Sequence, residues 1–224
     1  MLVLAAAGLA VGFARGAQPA WRIADLHRAV RIGLSAKDVG AGWCEGSAKR
    51  SPFAIDLGTV ASSALTIECS GPVPATKAAV DLEVTGASES AFAGTSRTIA
   101  SVVMLYKTST IARLQMPDAA AVRGFLPCFS SELEKGFGTA AKIKLTSLAR
   151  RHFVTGSPDS IAVRLTGKIT VAGTGEPIFI DLVLQQESRG MVETAYFGIL
   201  DPPSSPLESR LSRLLEKRLA RYAA

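Results

Sequence analysis

Over residues 160–200, apolar and polar positions alternate almost without a break. Ile161, Val163, Leu165, Ile169 and Val171 mark one set within Ser160–Ala172. Ile178, Ile180, Leu182 and Leu184 mark a second within Pro177–Gln186, against Phe179, Asp181, Val183 and Gln185. A period of two is what a strand shows when its two faces meet different surroundings. Gly173-Thr174-Gly175-Glu176 predicts a turn between these runs, and Glu187–Gly190 a turn before Met191–Leu200. Lys142–Leu148 alternates as well, so the last third reads as an antiparallel meander.

Upstream the pattern is more mixed. Ala64–Cys69 and Ala79–Thr85 read as strands, and the β-branched run Ile99–Thr108 as a more central one. Met116–Gly136 reads as a helix that Pro127 should kink or split. Trp21, Ile23, Leu26, Ala29, Val30 and Ile32 recur at three-to-four spacing and predict a lead-in helix over 17–33. Ser35 is placed to cap a turn begun by Ala36, Lys37 and Asp38. After the rigid DPPSSP connection at 201–206, Leu207, Leu211, Leu214, Leu215 and Leu219 share one face of a terminal helix ending near Tyr222. Adjacent strands with segregated helices imply an α+β domain, an antiparallel sheet with helices on one face.

Composition narrows the class. The chain has 224 residues, 48% hydrophobic and 20% charged, enough to bury a core and far from a disordered composition. Its net charge of +6 is spread along the chain among 19 acidic residues, with one basic concentration in the terminal helix. That distribution predicts a solvated basic surface and no nucleic-acid footprint. The terminal helix has a second reading, peripheral contact with a membrane or cell envelope, but its apolar stripe is all leucine and suits packing on a sheet.

The N-terminus suggests a compartment. Leu2–Phe13 is apolar, too short to span a bilayer as a helix and of the length of a signal-peptide core. Ala14 and Gly16 suit a cleavage site before Ala17, which predicts a signal peptide over 1–16, or an anchor if more residues precede it. The expected location is secreted or cell-envelope. An exported chain with Cys44, Cys69 and Cys128 predicts one disulfide and one leftover thiol. Three pairings are open; joining Cys69 to Cys128 would leave Cys44 alone. With no Cys-x-x-Cys and with His27 and His152 standing apart, no metal site is expected.

Catalytic patterns are scarce. There is no nucleophile elbow and no phosphate loop. Gly136–Ala141 fits a dinucleotide fingerprint in letters but follows a helix, the wrong context. His152 follows two arginines and reads as a surface residue. Asp181 stands within the apolar run IFIDLVL, either on the solvent face or buried with a partner such as Arg164 or Arg189; the alternation favours the solvent face.

The landmarks also form a familiar series. LSAKDVGAGW at 34–43, then Cys69, IASVVMLYKT at 99–108, the helix around Cys128, the strands of 160–200 and LLEKRL at 214–219 resemble the extracellular sensor domains attached to actinobacterial Ser/Thr protein kinases and their stand-alone secreted relatives. The resemblance covers residues 34–224, here without a kinase domain and with Cys44 as an extra cysteine. It implies an α+β domain outside the membrane with a ligand-sized cleft. The expectation is thus a non-enzymatic, extracytoplasmic ligand-binding or sensor-like domain without a cofactor. Its candidate ligand residues are Tyr106, Arg113, Arg164, Asp181 and Tyr196. The alternatives are a carrier of a lipid or other hydrophobic molecule and a surface interaction protein without a small ligand.

Overall fold

The computed structural model describes residues 21–45, 69, 83–114, 124–137, 141–151 and 159–224. The leader at 1–16, residues 64–68 and His152 lie outside the described residues.

Seven antiparallel strands form one sheet among the described residues: β1 (Cys44–Glu45), β2 (Val84–Ala93), β3 (Arg97–Tyr106), β4 (Ala141–Arg150), β5 (Ser160–Val171), β6 (Thr174–Glu187) and β7 (Gly190–Ile199). Their order across the sheet is β1-β2-β3-β7-β6-β5-β4. The helices are α1 (Ile23–Ile32), α2 (Ala36–Val39), α3 (Ser109–Leu114), α4 (Phe125–Phe137) and α5 (Ser205–Tyr222). The class is α+β, as the alternation predicts. β7 is central and buried along its whole length.

Both faces of the sheet are covered, whereas the pattern alone suggested helices on one. On one face α1, α2 and α5 pack over Phe92, Ile99, Val103, Leu105, Val183, Val192 and Tyr196. On the other, α4 packs over Ile143, Val163, Leu165, Ile178, Ile180, Leu182 and Phe197. A third cluster joins Ala112 of α3 to Val84, Val102, Met104 and Tyr106. Strands apolar on both sides need a layer on each, because an uncovered apolar face stays in water.

Several local devices set this arrangement. At β5–β6 the chain turns through Ala172 and Gly173, both with positive φ, and Val171 pairs with Thr174; this two-residue form matches strand twist. At β6–β7 the loop Ser188–Arg189 projects Arg189 toward α1, where it meets Asp25 at 2.7 Å. Gly86 allows α1 to lie on β2: a Cβ there would come within 2.5 Å of the Asp25 carbonyl carbon. Ser35 donates its hydroxyl and backbone N–H to Asp38, both at 2.8 Å, closing the start of α2 as expected.

The element bounds differ from expectation in three places. Of the strand expected over 79–85, residues 79–82 lie outside the described residues and Glu83 is a turn; β2 runs from Val84 on through GASESAFA to Ala93, a stretch poor in β-formers. Of the helix expected over 116–136, residues 116–123 lie outside the described residues, Gly124 is a turn, and α4 runs from Phe125, with Pro127 in its first turn, where no intrahelical N–H is needed. Cys69, expected at a strand end, has helical backbone; a short apolar run does not distinguish the two by periodicity.

Cys69 is bonded to Cys128 of α4, and Cys44 in β1 is an exposed free thiol. The bridge holds α4 over the edge strand β4. There Ser130 Oγ donates to the Ile143 carbonyl at 3.0 Å and accepts from Leu145 N–H at 3.2 Å, while Glu134 accepts from Ile143 N–H at 3.0 Å.

Candidate functional site

The densest buried charge lies where the N-terminal turn of α5 crosses β5, β6 and β7. Asp181 is fully buried. That corrects the solvent-face expectation: the side of β6 opposite its aliphatic set is not in water but beneath α5. Burial of a carboxylate demands donors, and two arginines supply them. Arg164, its cross-strand neighbour on β5, donates Nε to Oδ1 at 2.6 Å and Nη2 to Oδ2 at 2.5 Å. Arg151, just beyond β4, donates Nη1 to Oδ2 at 2.5 Å. Of the two partners the sequence suggested, Arg164 is therefore present, while Arg189 serves Asp25 instead.

Arg151 links Asp181 to α5. Its Nη1 also donates to Glu208 Oε2 at 2.7 Å and its Nη2 to Ser205 Oγ at 2.9 Å. Glu208 is fully buried, and its second oxygen, Oε1, has no hydrogen-bond partner. Burial, followed by the neighbouring Asp181 carboxylate, pushes the Glu208 carboxyl up to about 7, with Arg151 opposing. Asp181 in turn pushes the Arg164 guanidinium higher still.

Tyr196 of β7 stands opposite Asp181 in the register. Its hydroxyl is buried and lacks a partner in hydrogen-bond geometry, as does the nearby Ser212 hydroxyl on α5. Burial pushes the Tyr196 phenol well above its ordinary value. Next along this face, Gln185 Nε2 donates to the Ser212 carbonyl at 2.9 Å. Buried polar atoms without partners are uncommon enough to require a reason.

Tyr196 and Glu208 line one pocket, together with Trp43, Arg97, Ile99 and Leu207 among others. Its volume is about 10 Å³, room for about one water molecule and far below the ~300–1,000 Å³ of most small-molecule sites. Its lining residues include three aromatics (Trp43, Tyr196 and Phe197), aliphatic walls, Arg97 and Glu208. The surface that the pocket exposes is mainly apolar, and Tyr196 Oη and Glu208 Oε1 lie behind it with almost no accessible surface. Among the described residues no three His, Cys, Asp or Glu side chains gather as metal ligands.

Of the five candidates from sequence, the structure brings together Arg164, Asp181 and Tyr196. Tyr106 lies on the opposite face, packed beside Met104 and Ala112. Arg113 is exposed, 4.0 Å from Asp159. Arg151 and Glu208 were not anticipated. Arg151 gives no signal, since it follows an ordinary polar strand end. Glu208 does give one: it stands three residues before Leu211 and seven before Leu215, on the buried stripe of α5.

No family model matches the sequence, and no curated protein matches it. Among solved structures the chain is similar to the extracellular domain of PknH from Mycobacterium tuberculosis. The two share 13% sequence identity with a TM-score of 0.46, over 91% of this chain and 98% of that one. A likeness at this score supports no inference about ligand or activity.

Proposed function

We propose that the chain is a non-enzymatic, extracytoplasmic domain of the ligand-binding or sensor-like kind, and that it reads its ligand at the pocket under the start of α5. The observation that carries the ligand site is Glu208 Oε1, buried without a donor, together with the Tyr196 hydroxyl, which has only a poorly oriented contact with Ser212; both side chains line that pocket. Such atoms cost about 1–3 kcal/mol each when unsatisfied, and a polar ligand group between them removes that cost. The compartment is supported by the Cys69–Cys128 bridge, since disulfides persist in oxidising environments. A carrier of hydrophobic molecules needs a large apolar chamber, and a pocket of about 10 Å³ is far too small for one; the buried phenol and carboxyl beside it favour a small polar group instead.

Native mass spectrometry of the chain recovered from its own secretion route, with and without reductant, tests both halves. The expected result is a processed chain with one disulfide and a small adduct that a Tyr196→Phe/Glu208→Gln variant no longer retains. A clean apo mass in the wild type removes the ligand-binding half. A fully reduced, unprocessed chain removes the extracytoplasmic half.

A further inference from the structure

We propose that the outer face of α1 is a contact surface for an anionic lipid bilayer. Four large hydrophobic side chains stand exposed among the described residues, and three of them belong to this one segment: Trp21 (41% exposed), Ile23 (75%) and Val30 (65%). Ile23 and Val30 are seven residues apart, two helical turns, so they project from the same side. The buried positions of α1, namely Asp25, Ala29 and Ile32, project toward the sheet. Ile23 and Val30 therefore project away from the sheet, beside the exposed His27.

Cations flank the stripe. Arg22, Arg28 and Arg31 are exposed on α1 and its lead-in. α5 packs beside α1 in the same layer, and its outward residues Arg213, Lys217 and Arg221 are exposed too. Nearby acids offset this charge only in part: Asp25 is buried against Arg189 and Arg28, Asp38 is paired with Arg218, Glu208 is buried, and Glu216 stands among the cations of α5. Apolar anchors within a cationic field are the features that seat a helix at a lipid headgroup boundary. α5 cannot supply the anchors, because Leu211, Leu215 and Leu219 are spent on the sheet. The two helices divide the work: α1 provides the wedge and both provide charge.

Vesicle flotation with the full chain tests the surface. Wild-type protein is expected to float with phosphatidylglycerol vesicles at low salt, to float at least tenfold less at 0.5 M salt, and to ignore phosphatidylcholine vesicles. Ile23→Ser/Val30→Ser is expected to cut flotation at least tenfold with an unchanged melting temperature. Equal flotation of the double variant overturns the proposal and assigns lipid affinity elsewhere in the chain. Wild-type protein that never floats overturns it as well. A dimer in sedimentation velocity without lipid, dissolved by the same two substitutions, assigns the face to a second copy of the chain and overturns the membrane assignment.

Discussion

Two carboxylate–arginine clusters hold helices to the same face of the sheet, and they leave their carboxylates in opposite states. Asp25 of α1 accepts from Arg189 through both oxygens, at 2.7 and 3.0 Å, and from Arg28 at 3.2 Å. The Arg189 hydrogen bonds outweigh burial and hold Asp25 well below the usual carboxylate range. At the other cluster two arginines face two carboxylates, Asp181 and Glu208, so the count of charges balances. The distribution of hydrogen bonds does not. Asp181 takes three of the donors and Glu208 one, with Glu208 Oε1 left bare. Glu208 rises to about 7 while Asp25 falls. Hydrogen bonds from Arg189 dominate at Asp25, whereas burial and then the neighbouring Asp181 carboxylate dominate at Glu208.

The contrast can be broken most strongly at Asp181. Asp181→Ala leaves Arg164 and Arg151 facing a buried void, and urea denaturation at pH 7 is expected to show a loss of about 3–5 kcal/mol. Asp25→Ala removes the simpler cluster. Arg189 keeps some solvent and retains the Tyr106 carbonyl and Thr85 hydroxyl as partners, so the expected loss is smaller, about 2–3 kcal/mol.

The pH dependence separates the two clusters by sign. Asp25 is depressed in the fold, so its contribution is present above about pH 4 and is lost on acidification. Glu208 is raised from 4.5 to about 7. Between those values the folded state holds a proton that the unfolded state has released, so stability falls as pH rises from about 5 to 7, by roughly 2 kcal/mol. Because Glu208 and Asp181 interact, the transition belongs to the pair. Glu208→Gln should flatten this slope and leave the acid limb unchanged; an unaltered slope would place the titration elsewhere. The smallest effect belongs to Arg113, exposed and 4.0 Å from Asp159. Arg113→Ala should change stability by less than ~0.5 kcal/mol in the same assay.

What could be read in advance follows from where each residue lies in its period. The strands β5 to β7 were legible because their alternation is strong, and Asp181 was assigned to the correct side of β6. What lay over that side was not legible, because a period of two says which residues share a face and not what covers it. Both buried helical carboxylates obey a rule visible in sequence. Asp25 precedes Ala29 by four and Ile32 by seven, and Glu208 precedes Leu211 by three, so each extends a buried stripe by one turn. Arg151 and Arg189 come from a strand end and a hairpin loop, where no periodicity applies. Most of β2 was illegible because its glycine, serines and alanines carry little strand preference, and only pairing with β3 makes it a strand.

The bond between Cys69 and Cys128 also governs how the protein behaves in company. β4 is an outermost strand, and its outward amides at Ile143 and Leu145 are occupied by Glu134 and Ser130 of the helix that Cys128 anchors. Once that helix is untethered, the same amides become an open template for the strand of another molecule. Oxidation state then sets colloidal fate: the bridged chain is closed to its neighbours, and the reduced chain is expected to recruit them edge to edge.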